Sequence, residues 1–376
     1  MKVVGDKRKN TRRLLSWAWI YFLHFTGLLG WVQRKIASSR GVIVLTLHRV
    51  LEDPDFKNTD SPAGLVVRRQ TFEQFLAFLR KNYEILALFG ESPDWQRRSS
   101  RPFLAVTFDD GWKDTAEIAH PLAKKYDIPI TVFICPGLMD KATPFWPERV
   151  SRAWRAAARS RAESLKFSSI CSASLSGRAF SPFEDTGNSL DRLIASLKDI
   201  PPAKRNTLVQ QLSTLARENC VSSEGDRLER TMTWEESWAI ERTSGQIGSH
   251  TQHHEILTRL SPDQVLREIS DAKLAIESNL DHDCRMFAYP NGSWSADVRN
   301  LVVQQGHGQA FINTPGIWEK ETDPWLIPRV NIWEGSLTGP SGSFSQIVFQ
   351  YTAFWRAYRT GSKKRDQESK VPPPSF

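Results

Sequence analysis

The sequence is short of cysteine. Its four cysteines, Cys135, Cys171, Cys220 and Cys284, fall at no paired spacing in 376 residues. That excludes a C-x-x-C redox or zinc site and a dense disulfide framework, and the cysteines read as free thiols. Outside the first forty residues the chain also lacks any charge excess. The whole net charge of +8 comes from residues 1–40, where nine Lys and Arg stand against the single acid Asp6. A nucleic-acid-binding enzyme would spread its basic side chains over the catalytic domain, so no nucleic-acid partner is expected. Purely aliphatic runs of membrane-spanning length are missing as well. Leu14–Val32 is uncharged and long enough to cross a bilayer. It is diluted by His24 and Thr26, and it carries Trp17, Trp19, Tyr21, Phe22, Phe25 and Trp31.

What is present in those forty residues is an aromatic apolar segment flanked by basic side chains, which suits an anionic membrane surface. Four readings stand open: a helix lying in the interface, a spanning helix, a plain core helix, and a signal peptide, against which Arg34 and Lys35 interrupt the approach to a cleavage site. The chain is expected to be membrane-associated. A spanning segment would place the rest of the chain outside the cytoplasm and an interfacial one would keep it inside. The 14 Trp suit a sugar-binding groove as well as a core or a membrane interface.

Beyond residue 40, short apolar runs closed by turn residues alternate with helical patterns. Strands are expected at Val42–Leu47, Tyr83–Phe89, Phe103–Phe108, Ile130–Ile134, Met286–Tyr289, Ala310–Ile312 and Ile327–Ile332, with a short one before His250. Helices are expected from Thr71 as cap, from Asp114 to Tyr126 with Pro121 as a local problem, over Trp234–Arg242, and after Ser261-Pro262 to about Leu280. This rhythm argues for an α/β fold, a parallel sheet or barrel with helices outside. About 140–230 breaks it and reads as a helical insertion whose arginines (Arg149, Arg152, Arg155, Arg159, Arg161) form a solvated face. The organisation is therefore a basic segment over 1–40, a main domain over 41–335, and 336–376 with an aromatic helix and a polar, Pro-rich tail.

The chemistry concentrates where Phe103–Phe108 ends in Asp109-Asp110-Gly111. Neighbouring side chains at a strand end point in different directions. One carboxylate is thus free to bind a metal while the other works on a metal-bound water. Far away, His250 and His254 stand four apart, a spacing that chelates one ion on a helix or a tight turn. One carboxylate and two imidazoles make three protein ligands with a position left for water, the pattern of a catalytic metal site.

Thr107-Phe108-Asp109-Asp110-Gly111, His250-Thr251-Gln252-His253-His254 and Phe287-Ala288-Tyr289-Pro290-Asn291-Gly292 together resemble the three main motifs of the polysaccharide deacetylases, the NodB-homology carbohydrate esterases. The resemblance implies a deformed (β/α) barrel of the NodB-homology type with fewer than eight regular strands. It implies metal-dependent removal of acetyl groups from an acetylated amino-sugar polymer or glycan precursor. By that resemblance Asp109 is the general base, and Asp110, His250 and His254 hold a divalent ion, zinc first, with cobalt, nickel or iron able to replace it. His253 lies between motif positions and takes no role. Asn291 marks the loop whose backbone N–H stabilises the oxyanion. Two departures matter. The Arg that often orients the catalytic Asp is replaced by Ala288, and Arg329 is the candidate substitute. The late His motif is absent, and His48 at the end of the first strand resembles the general acid of the circularly permuted branch, on the side opposite Asp109. His307 is its rival. Two other functions stay open: a metal-dependent amidohydrolase on a non-sugar amide, and a catalytically idle glycan-binding protein on the same fold.

Overall fold

The computed structural model describes residues 2–141, 145–183, 189–217, 229–243 and 245–361. Cys220 and the tail from residue 362 lie outside them, and Cys135, Cys171 and Cys284 are free and buried. Seven parallel strands close into a barrel: β1 (Val42–Leu47), β2 (Phe103–Phe108), β3 (Ile130–Ile134), β4 (Gly245–Ser249), β5 (Met286–Ala288), β6 (Gln309–Ile312) and β7 (Ile327–Asn331). They follow one another around the ring in chain order, and β7 pairs back onto β1 with Val44 opposite Arg329. β1 and β2 are VIVLTL and FLAVTF, buried at every position. A barrel strand covered by helices outside and packed side chains inside has no solvent face, so its sequence runs apolar rather than alternating.

Helices cover the outside. α1 (Pro262–Leu280) buries Val265, Ile269, Ala272, Ile276 and Leu280, one stripe at helical spacing. Ser261 and Gln264 close its N-terminus as a capping box with Pro262 in the first turn. The expected helix after Asp114 begins with a π-turn over Thr115–Ala119 before His120–Lys125. The wider turn is where the chain absorbs Pro121, which has no N–H to give the ladder.

Several expected elements differ. The strand over Tyr83–Phe89 shrinks to Glu84–Ile85, beside the start of β2. Thr71 is not a cap. Its helix, α2 (Arg69–Asn82), starts two residues earlier, and the Thr71 hydroxyl donates to Glu334 Oε1 at 2.9 Å. A small parallel pair, Arg49–Leu51 with Val66–Arg68, follows β1 directly.

The insertion is helical and has its own core. α3 (Trp146–Ala157), α4 (Arg161–Ser174), α5 (Ser189–Lys198) and α6 (Pro202–Arg217) pack around Trp154, Phe167, Leu193, Leu197 and Leu212. Its arginines are less solvated than their run suggests. Arg152 and Arg155 both pair with Asp60, at 2.8 and 3.1 Å, and Arg149 donates to Gln210 at 2.9 Å.

At the N-terminus Lys2–Phe25 and Leu28–Ser39 form two helices broken at Thr26-Gly27, where Gly27 takes a φ of 77°. Among the described residues no single helix is long and apolar enough to cross a membrane. The pair Leu14–Phe25 with Leu28–Ser39, bent by 64°, passes that test only together. One face of the pair is buried through Leu23, Leu29, Val32 and Ile36, and Lys35 Nζ donates to the Tyr358 hydroxyl at 3.0 Å.

Candidate active site

The side chains of interest gather at the C-terminal ends of the strands, where barrel enzymes of this architecture place their chemistry. β1 and β2 run in register, Leu47 opposite Phe108, so the next residues, His48 and Asp109, are neighbours. His48 Nε2 lies 4.0 Å from Asp109 Oδ2. The expectation of an acid on the side opposite Asp109 is thus corrected: adjacent strands carry the two groups side by side. Asp109 is buried, and Arg329 reaches it from β7 in a two-pronged contact, Nη1 to Oδ1 and Nη2 to Oδ2 at 2.7 Å each. Burial alone would raise the acid's pKa. The Arg329 guanidinium, then His250 and His48, outweigh it and hold Asp109 well below the usual carboxylate range.

Asp110 turns the other way. It has a φ of 75°, in the left-handed region where a non-glycine residue is strained, and Gly111 follows at 70°. The turn takes its carboxyl off the strand direction and towards the loop after β4. That loop, not a helix, carries the two histidines, with Thr251 and His254 also at positive φ. His250 Nε2 and His254 Nε2 lie 3.7 and 3.2 Å from Asp110 Oδ1. The ligand atoms of Asp110, His250 and His254 all fall within 4.8 Å of one another.

The donor set fits a divalent ion on three counts. Asp110 Oδ1, towards which both imidazoles point, is buried and has no hydrogen-bond partner. His250 Nδ1 faces the Ala288 carbonyl at 2.7 Å, which fixes the tautomer and leaves Nε2 as a lone pair. Burial, the largest effect, pushes both rings down to about 4, so they stand neutral as ligands must be. Behind this set Trp112 Nε1 donates to Asp110 Oδ2 at 3.1 Å. The Arg49 guanidinium stacks on Trp112 at 4.1 Å and pairs with Asp114 at 2.9 Å.

A cavity of about 350 Å³ opens over these groups, lined by His48, Asp109, Asp110, His250, His254 and Asn291 among others. Arg329 does not line it and acts there only through Asp109. Asn291 has a φ of 58° in the tight Pro290-Asn291-Gly292 turn, and a Cβ on Gly292 would meet the Asn313 backbone at 2.5 Å. His253 points away, its Nδ1 2.8 Å from Glu268 on α1. His307 is buried against the Phe287 ring just before β6 begins, at the opposite end of the barrel.

Three residues of this site were not foreseen. Trp112 followed the Asp pair in sequence, but its hydrogen bond needed the turn geometry to be seen. Glu148 and Lys198 line the cavity from the insertion. Burial and then the nearby Asp110 push the Glu148 carboxyl up to about 8. Nothing in a helix start reading Trp146-Pro147-Glu148 distinguishes it from a solvated first-turn acid.

Residues 96–163 and 216–310 match the family model described as polysaccharide deacetylase. Among solved structures, a polysaccharide deacetylase from Bacillus cereus matches with a TM-score of 0.50 at 15% identity, covering 83% of this chain and 67% of that one. The deacetylase PplD of Streptococcus pyogenes, solved with acetate, matches at 15% identity over 79% of this chain and 94% of its own, with a TM-score of 0.49. IcaB of Ammonifex degensii matches at 16% identity over 84% and 97%, with a TM-score of 0.49. At such identities the Bacillus structure speaks for the fold. No curated protein matches the chain in sequence.

Proposed function

Since the chain belongs to the polysaccharide deacetylase family, we propose that it hydrolyses the acetyl groups of N-acetylated sugars in a polysaccharide or glycan precursor, with Asp109 as base and a divalent ion at Asp110, His250 and His254. The observation that carries this reading is the division of labour between adjacent carboxylates: Asp109 is held by Arg329 and Asp110 is turned onto two neutral imidazoles. The mixed imidazole and carboxylate set favours zinc, with cobalt, nickel or iron as substitutes. When bound, the ion would polarise the acetyl carbonyl and acidify the attacking water enough for a strongly acidic carboxylate to take its proton.

The chain's own residues do the rest. Arg329 keeps Asp109 ionised and fixes both oxygens, so one orientation is presented to the water. Attack at the carbonyl carbon builds negative charge on the acetyl oxygen, and the strained turn at Asn291 offers a backbone N–H to it. Collapse of the tetrahedral intermediate breaks the C–N bond, and the departing sugar nitrogen needs a proton. His48 is the donor. It is a buried imidazole at the cavity whose Nδ1 makes no hydrogen bond, and its Nε2 stands beside Asp109. That placement also lets the proton taken by Asp109 be shared with the acid.

The N-terminal helices support membrane association. Their outward face carries Leu15, Trp19, Phe22, Phe25, Leu28 and Trp31, all exposed, beside the charge excess of residues 1–40. Because the inward face is already packed on the protein, the interfacial reading is the one we adopt.

The test is acetate release from a chitooligosaccharide by purified protein. Turnover should vanish on chelation and return with added zinc. Chelator-resistant acetate release would overturn the metal assignment, and metal-loaded protein that cleaves a simple acetanilide but no sugar would favour the non-sugar amidohydrolase.

A further inference from the structure

The catalytic groups form the floor of the cavity, and the insertion forms a wall. On that wall Trp146, Pro147 and Ile194 supply apolar surface, while Glu148 and Lys198 supply the inward polar groups, with Asp191 exposed further out. Glu148 is 2% exposed, as buried as Asp109 itself. Its Oε2 is buried and has no hydrogen-bond partner. A buried carboxyl oxygen with an unmet hydrogen bond is costly to keep. Lys198, the last residue of α5, reaches across the cavity and donates from Nζ to Asn291 Oδ1 at 2.6 Å. An ammonium has three N–H bonds, so that contact leaves donors to spare. Lys198 falls in the stretch between the two segments that match the family model.

A fixed carboxyl and a tethered ammonium on an otherwise apolar wall are what a polyhydroxylated ring needs. Hydroxyls both donate and accept, and the ring's carbon face packs on apolar surface such as Trp146. A volume of about 350 Å³ suits a small ligand or a short piece of a polymer. Resting on the deacetylase reading, we propose that Glu148 and Lys198 are specificity-determining residues, which exchange hydrogen bonds with hydroxyl groups of the sugar ring whose acetamido group is cleaved. They act in substrate binding, so they select sugars over simple amides and esters rather than drive the bond cleavage.

The experiment measures kcat and KM for metal-loaded wild type, Glu148→Gln and Lys198→Met on a chitooligosaccharide and on 4-nitrophenyl acetate. Unfolding temperature and metal content are measured on each variant. Each substitution should raise KM for the sugar about tenfold or more, with kcat changed much less. The preference for sugar over ester, as a ratio of kcat/KM values, should fall correspondingly. Sugar KM unchanged in both variants overturns the proposal. So does a fall in kcat with KM unmoved, or an equal loss on both substrates. If Glu148→Gln fails to fold, Lys198→Met at its half-buried helix end decides the matter alone. Wild type that cleaves the ester but releases no acetate from the sugar sinks the parent reading and this one with it. A sugar-active wild type with unmoved variants sinks this one only.

Discussion

At the scale of single residues, two histidines had competing claims on the acid's role, and burial separates them. His48 stands at the cavity beside Asp109. His307 is shut in under Phe287 at the far end of the barrel, where burial pushes its ring down to about 3. The unfolded ring titrates near 6.5, so between about 3 and 6.5 only the unfolded chain binds that proton. Stability from this residue is present above 6.5 and is lost as pH falls towards 3. His307→Leu should therefore flatten the acid limb of a stability-versus-pH curve and leave turnover alone. His48→Ala should lower turnover on the acetamide by about 10²-fold with metal retained. Its loss on 4-nitrophenyl acetate should be far smaller, since that leaving group departs without a proton. Equal losses on the two substrates would remove His48 from the acid's role. The sequence showed both histidines but not their surroundings. Gly306 and Gly308 flank His307 in the sequence, and only packing reveals that it is enclosed.

At the scale of elements, the strands were legible where burial on both faces makes them uniformly apolar, as in β1 and β2. Tyr83–Phe89, apolar but for Glu84, pairs over Glu84–Ile85 alone; beyond them Leu88 packs into the cluster formed by the barrel's strands while Phe89 is exposed. Helix starts were legible through side-chain caps only where the cap residue also sits outside the helix. At Thr71 a hydroxyl that could have capped is taken by Glu334. At α7 (Trp234–Glu241) Thr233 does cap, with Glu236 returning the bond to complete the capping box. Thr233→Ala should cost about 1 kcal/mol of stability, read by urea unfolding, with kcat unaltered. A loss of turnover would mean that this helix positions β4 and its histidine loop more directly than its packing indicates. The short pair Arg49–Leu51 with Val66–Arg68 had no signal in three-residue runs. Its anchor is the buried Arg49, which meets Asp114, Ser61 and Glu229 from three distant stretches.

At the scale of the whole molecule, the sequence located its charge in one place, and the structure puts an exposed aromatic face in that same place. Replacing Trp19, Phe22, Phe25 and Trp31 with serine should release the protein from vesicles containing anionic phospholipid, while acetate release from a soluble oligosaccharide is retained. Unchanged vesicle binding would move the contact elsewhere on the surface. The insertion is the part that sequence could not interpret. Arg and Ala at helical spacing announce helices, but which faces they turn to the barrel depends on contacts such as those of Arg152 and Arg155 with Asp60. Residues from three separate stretches, Asp109 with Asp110, His250 and Arg329, were readable because each follows closely on a strand or lies within one, and a closed parallel barrel brings strand ends together wherever they fall in the chain.

The central claim is that the two adjacent aspartates do different work, and one paired measurement tests it. Metal content and acetate release from a chitooligosaccharide are determined on the wild type, Asp109→Asn and Asp110→Asn. Asp109→Asn should keep its metal and lose turnover by at least about 10²-fold, while Asp110→Asn should lose both together. Loss of metal from Asp109→Asn, or full turnover by metal-depleted Asp110→Asn, would contradict the account.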